Sequence, residues 1–251
     1  SLPTDAGKNM ISRGLEWFFN GRFFIDSSWK ELQLERQGDG LMPVARALPT
    51  DSKVGNGTMG ILEGHASNIY YDGEQDFRYW LRADVQGEVA FALASGGKLL
   101  NNPTYEEVSK NLMEYVLKNS AFRAGKRIDP FSPVYGLIGW SDTHPYVFYA
   151  DDNARLVLGL IGASAFMGYD RWNKEIVENI LANFRLSNVN GFFGNGGRLE
   201  ESQVMEKGWR YYAKRPELVN PHPHFESWMW ACYLWLYDKT GYQPLLEKAE
   251  K

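Results

Sequence analysis

Apolar positions along the chain fall into two alternating kinds of stretch. Residues 151–168, DDNARLVLGLIGASAFMG, are apolar on nearly every side after a polar start, the mark of a helix buried all round. Residues 173–186, NKEIVENILANFRL, set Ile176, Val177, Ile180, Leu181 and Phe184 at one-face spacing opposite a charged side, the mark of a helix lying on a core. The couplet recurs. Residues 76–95 are apolar and rich in small side chains and precede amphipathic 105–117, and the apolar stretch 226–239 precedes 244–251. Three hairpins are expected, each an inner helix followed by an outer one.

Acidic residues mark the start of each inner stretch, and Asp76, Asp151 and Glu226 are spaced by 75 and 75 residues. Gly168-Tyr169-Asp170 and Gly241-Tyr242-Gln243 follow their inner helices at equal offsets, as helix-ending glycines do. Hairpins packed side by side around an axis bury inner helices on all faces and outer helices on one. The expected fold class is therefore all-α: an incomplete α/α toroid of about three hairpins plus an N-terminal helix, part of an (α/α)6 barrel, with an irregular helical bundle as the alternative. The last outer helix has barely two turns before Lys251, so the chain reads as cut within a ring that further hairpins or a second copy would close. Residues 5–20 read as one amphipathic helix with Ile11, Leu15, Trp17, Phe18 and Phe19 on its apolar side, whereas Gly and Pro punctuate 27–58, read as loop or short strands over one mouth of the ring. We treat 1–251 as a single domain with an irregular segment at 21–60.

Composition narrows the function. With 44% hydrophobic and 23% charged residues, the 251-residue chain has apolar material for a core and is not disordered. A net charge of -4 without runs of like charge speaks against nucleic-acid and membrane-surface partners. The longest apolar stretch, residues 229–237, is far shorter than the ~20 residues of a bilayer crossing. The single cysteine, Cys232, lies inside it, so no disulfide framework or cysteine-based metal site is expected within the chain. Ser1 leads into Pro3, Thr4 and Asp5 without a charged head and apolar run, so any signal peptide is read as removed or never present. The compartment stays open, with the periplasm or exterior favoured over the cytoplasm. The chain is rich in rings, with 9 Trp, 14 Tyr and 14 Phe; most are read as core, but flat rings with a polar edge also suit the C–H faces of sugars.

In a hairpin toroid, the loops entering the inner helices meet at one end of the cavity, where helix N-termini offer free N–H groups. EGHASNIYYDGEQDFRYW, GWSDTHPYVFYADDNAR and NPHPHFESWMW stand at those places and contain all four histidines, His65, His144, His222 and His224. Asp151 and Asp152 are candidate catalytic acids, or caps of their helix. As helix neighbours they point roughly 100° apart and cannot face one another as a pair. Glu226, set among His224, Phe225, Trp228 and Trp230, is the second candidate, because desolvation would raise its pKa toward general-acid use. Asp142 is read as a hydroxyl-holding group or an Asx-turn. Arg78, Arg82 and Arg155 could grip a uronic-acid carboxylate or form structural ion pairs. Two histidines flanking Pro223, without cysteine or helical spacing, are too weak a pattern for zinc, and no metal is expected. No Gly-rich phosphate loop follows a strand, so no cofactor is expected, and the glycines of 190–198 read as a turn.

GWSDTHPYVFYADDNAR, GWRYYAKRP and NPHPHFESWMWACYLWLYDKTGYQPLLEKA together resemble bacterial glycoside hydrolases of the six-hairpin glycosidase-like superfamily, from about Met10 to the C-terminus. The resemblance implies an (α/α)6 fold and action on carbohydrate. An Asp at the head of an inner helix is similar to the catalytic acid of the unsaturated glucuronyl hydrolases, onto which Asp151 or Asp152 maps. The expected function is hydrolysis of glycosidic bonds in oligo- or polysaccharides, with Glu226 and one of Asp151 or Asp152 as acid and base. Trp140, Tyr146, Trp228 and Trp230 are expected to stack on sugar, and Asp142, His65, His144, His222, His224 and Arg155 to bind its polar groups. Two alternatives are a histidine-dependent sugar epimerase and a carbohydrate-binding or scaffold module that breaks no bond.

Overall fold

A computed structural model of the chain describes residues 3–194, 196–215 and 223–250. The fold is mostly helical and carries three hairpins: α3 (Ala83–Leu100) with α4 (Pro103–Lys118), α5 (Ala150–Met167) with α6 (Asn173–Leu186), and α9 (Pro223–Thr240) with α10 (Gln243–Ala249). It is not purely helical. A three-stranded antiparallel sheet joins β1 (Val44–Arg46), β3 (Gln75–Arg78) and β2 (Gly64–Ile69), and a two-stranded one joins β4 (Val147–Tyr149) to β5 (Arg198–Glu200), so the all-α expectation is corrected.

The correction has a local cause. Residues 76–79 alternate between partly buried and buried, and this period of two suits a strand: β3 puts Phe77 opposite His65 of β2 and Ala45 of β1. Asp76 therefore lies in β3, seven residues before α3 begins. The inner helices open at residues 83, 150 and 223, which makes the offsets 67 and 73 rather than 75 and 75. In the N-terminal region α1 (Ala6–Asn20) forms as expected, but the segment read as loop also contains α2 (Lys30–Gln37), whose polar Gln33 and Gln37 are buried and hydrogen-bonded to each other.

One hydrophobic core runs from Leu15 of α1 to Leu245 of α10 and takes in the inner faces of all three hairpins. The middle inner helix, α5, packs on α3 on one side and α9 on the other. The α3–α5 crossing is tight because glycines meet there: a Cβ on Gly159 would stand 2.3 Å from the Gly87 carbonyl oxygen. The outer helices behave as their periodicity predicts, α4 burying Val108, Leu112, Met113 and Val116 and α6 burying Ile176, Ile180 and Leu186. A second, smaller core of Phe148, Phe193, Leu199, Val204 and Tyr212 supports the β4–β5 ribbon, α7 (Glu201–Lys207) and α8 (Trp209–Ala213). Among the described residues no helix is long and apolar enough to cross a membrane.

Candidate active site at the heads of the inner helices

The three inner helices share a construction that places their first turns. Each has 18 residues and is followed by a residue in the left-handed region: Asn101 (φ 54), Gly168 (φ 60) and Gly241 (φ 66). The fourth residue of each grips the backbone of a preceding loop. Gln86 accepts the Ile61 N–H and donates to the Ile61 carbonyl, both at 2.9 Å. Asn153 accepts the Ile138 N–H at 3.0 Å and donates to the Ile138 carbonyl at 2.9 Å. Glu226 accepts the Phe193 N–H at 3.0 Å. These three side chains are almost fully buried.

Asp84, the second residue of α3, and Asp151 and Asp152, the second and third of α5, meet between the two helix heads. Neither α5 aspartate caps its helix, which starts from an extended Tyr149 without a side-chain cap. Arg82 Nη2 donates to Asp84 Oδ2 at 3.0 Å and to Asp152 Oδ1 at 2.6 Å. Two bonds to one nitrogen hold these oxygens no more than 5.6 Å apart. Arg155 of α5 lies across Asp84 at 2.9 Å and pairs with Glu88 through Nε at 2.7 Å and Nη2 at 3.0 Å. Glu63 approaches Arg78 and Arg82 at 3.7 Å each. All three arginines considered as carboxylate grips are therefore occupied by the protein's own acids.

The carboxyl side chains of Asp84 and Asp152 are only 1% and 4% exposed. Burial pushes Asp84 up to about 7, aided by the Asp152 charge and opposed by Arg82 and Arg155. Burial also pushes Asp152 up, to about 6, against the pull of Arg82. Asp151 is raised too, by burial first, and its Oδ1 is buried without a hydrogen-bond partner. Asp84 was missed in the sequence reading because Asp76 was taken as the helix head. The signal that could have found it is the Ala-Asp dipeptide, Ala83-Asp84 and Ala150-Asp151, whose offset of 67 also aligns Gln86 with Asn153 and Asn101 with Gly168.

The other sequence-predicted residues divide by location. Trp140 packs on Trp80, Tyr149 and His144, and Tyr146 lies half-exposed beside His144, so these form an aromatic wall on the loop leading into α5. Trp228 is 50% exposed and, with Glu88, Phe91, Arg155, Leu158 and Gly159, lines a hollow of about 190 Å3. Trp230 instead ties its Nε1 to the Gly191 carbonyl at 3.0 Å, holding the chain that follows α6. Asp142 faces away from the acid cluster into a hollow with Lys30 and Tyr115, bonded to Gln37 and the Leu81 N–H, and burial raises its pKa. His65, partly buried, packs against Trp17, Phe23 and Phe77, and burial lowers its pKa. His224 stacks on Phe225, and His222 lies outside the described residues. No group of metal-ligating side chains gathers among the described residues. Comparison of the chain with protein-family models and with curated proteins finds no match in either.

Proposed function

We propose that the chain hydrolyses glycosidic bonds of oligo- or polysaccharides, and that its three hairpins are an arc of an (α/α)6 ring. The observation that carries this reading is the pair Asp84 and Asp152, two buried carboxyls on one guanidinium nitrogen, both held above the usual carboxylate range by burial. Two carboxyls that share a dry site cannot both ionise at little cost, so one keeps a proton and serves as acid while the other serves as base. Asp84, protonated near neutrality, donates its proton to the departing glycosidic oxygen, and ionised Asp152 attacks the anomeric carbon. Water then releases the sugar, with Asp84 taking back a proton. The shared nitrogen keeps the two bonded oxygens within 5.6 Å, short of the ~6.5–9.5 Å that leaves room for water in inverting enzymes, and this favours retention.

Access runs past Arg155, the partly exposed side chain that lies over Asp84 and borders the hollow under Trp228. Trp228 supplies a face for the sugar ring. The substrate is a neutral sugar, because Arg78, Arg82 and Arg155 are already engaged and five acids, Glu63, Asp84, Glu88, Asp151 and Asp152, outnumber them. The test is turnover of a panel of neutral and uronic aryl glycosides by the chain and by its Asp84→Asn and Asp152→Asn variants. Release of a neutral sugar, abolished in both variants, supports the reading. Release that survives both removes the assigned pair.

A further inference from the structure

We infer that Glu226 is an uncharged positioning carboxyl, the third copy of a backbone clamp whose other two copies are the amides of Gln86 and Asn153. All three occupy the fourth position of an 18-residue inner helix, and all three accept a loop N–H, from Ile61, Ile138 and Phe193 in turn. The two amides also donate an N–H to the carbonyl of the same loop residue. An ionised carboxylate has no hydrogen to do this, whereas a protonated one has the donor and acceptor of an amide. Glu226 Oε2 is buried without a hydrogen-bond partner, a state that costs an uncharged carboxyl far less than a carboxylate.

The surroundings point the same way. The titratable groups acting on Glu226 are Asp151 on α5, whose charge opposes a second negative charge, and Tyr233 on its own helix, whose hydroxyl is bonded to Ser187. Among the described residues no cation pairs with it. Burial is the first cause of a pKa raised to about 8, with the Phe193 N–H pulling the other way.

The clamp bears on the head of α5. Phe193 belongs to the segment that returns at Gly197, and the Gly197 carbonyl accepts the N–H of Ala150, the first residue of α5 and neighbour of Asp151. Glu226 thus positions the helix head that carries Asp151 and Asp152, without touching substrate itself. Ionising Glu226 leaves a buried, unpaired charge and loosens that segment.

Because its folded-state pKa is raised, Glu226 contributes stability that is complete below its ordinary 4.5, declines as pH climbs, and is gone above about 8. The experiment is equilibrium unfolding of the chain and of Glu226→Gln and Glu226→Ala between pH 4 and 9. The folding constant of the parent relative to Glu226→Gln should fall by up to about tenfold per pH unit through this window and then level off. Glu226→Ala should be weaker than Glu226→Gln at every pH, and the Phe193 amide should exchange slowly in the Gln variant throughout. Parent and Gln variant running parallel with pH would overturn the inference, as would a Gln variant no more stable than the Ala variant. None of these readouts needs a substrate, so they stand or fall separately from the hydrolytic proposal.

Discussion

Asp84 and Asp152 share Arg82 in a crevice too dry for both to ionise at little cost, and this sets their pH behaviour. Under the proposed hydrolysis the pair titrates as a unit, so kcat/KM on a cleavable glycoside should follow a bell with limbs at about 6 and about 7. A profile flat across that range would contradict the assignment. Asp84→Asn keeps the hydrogen-bonding shape but cannot transfer the proton, so it should cost about 10²–10⁴ in turnover on substrates with poor leaving groups. Phenolates that leave without protonation should be affected much less. Asp84 also acts on folding. Its raised pKa means that its stabilising contribution is full below 3.8 and lost as pH rises to about 7. The unfolding midpoint of Asp84→Asn should therefore gain on the parent across that window.

Close approach of backbones and polar clamps hold the inner helices in place. Gly159→Ala drives a methyl into the Gly87 carbonyl and should destabilise by about 1–3 kcal/mol, read as a lower denaturant midpoint with an unchanged m-value. Asn153 serves four partners, the Ile138 N–H, the Ile138 and Tyr149 carbonyls, and Asn179 Nδ2 at 2.7 Å. Asn153→Ala strands buried polar groups at about 1–3 kcal/mol each, so it should cost more than the glycine change. Helix periodicity made α6 and most of α4, α5 and α9 legible in the sequence, because a one-sided or all-round apolar pattern is a local property. The head of α3 was not legible that way, because Phe77, Tyr79 and Trp80 continue the apolar run although the chain pairs as a strand through Arg78. Helix α2 was hidden by its polarity: mean hydropathy is low, and its burial rests on a Gln33–Gln37 hydrogen bond rather than an apolar stripe.

Across the whole molecule, the three inner helices stand in a row with α5 central, their heads all joined to loops by the same side-chain clamp. Asp151, Asp152, Arg155 and Glu226 lie in the first two turns of inner helices, where the sequence reading put them, whereas the acid that meets Asp152 in the structure is Asp84. Glu226 sits at a clamp position, and its partner in that reading, Asp152, instead meets Asp84 across Arg82. What brings Asp84 to Asp152 is the α3–α5 crossing, a tertiary relation between residues 68 apart that no local pattern encodes. The most direct measurement is proton NMR of the first sugar released when the chain is incubated with a panel of neutral aryl glycosides. The account predicts that the product appears with the anomeric configuration of the substrate and that neither Asp84→Asn nor Asp152→Asn forms it. Product of inverted configuration, or product formed undiminished by both variants, would contradict it.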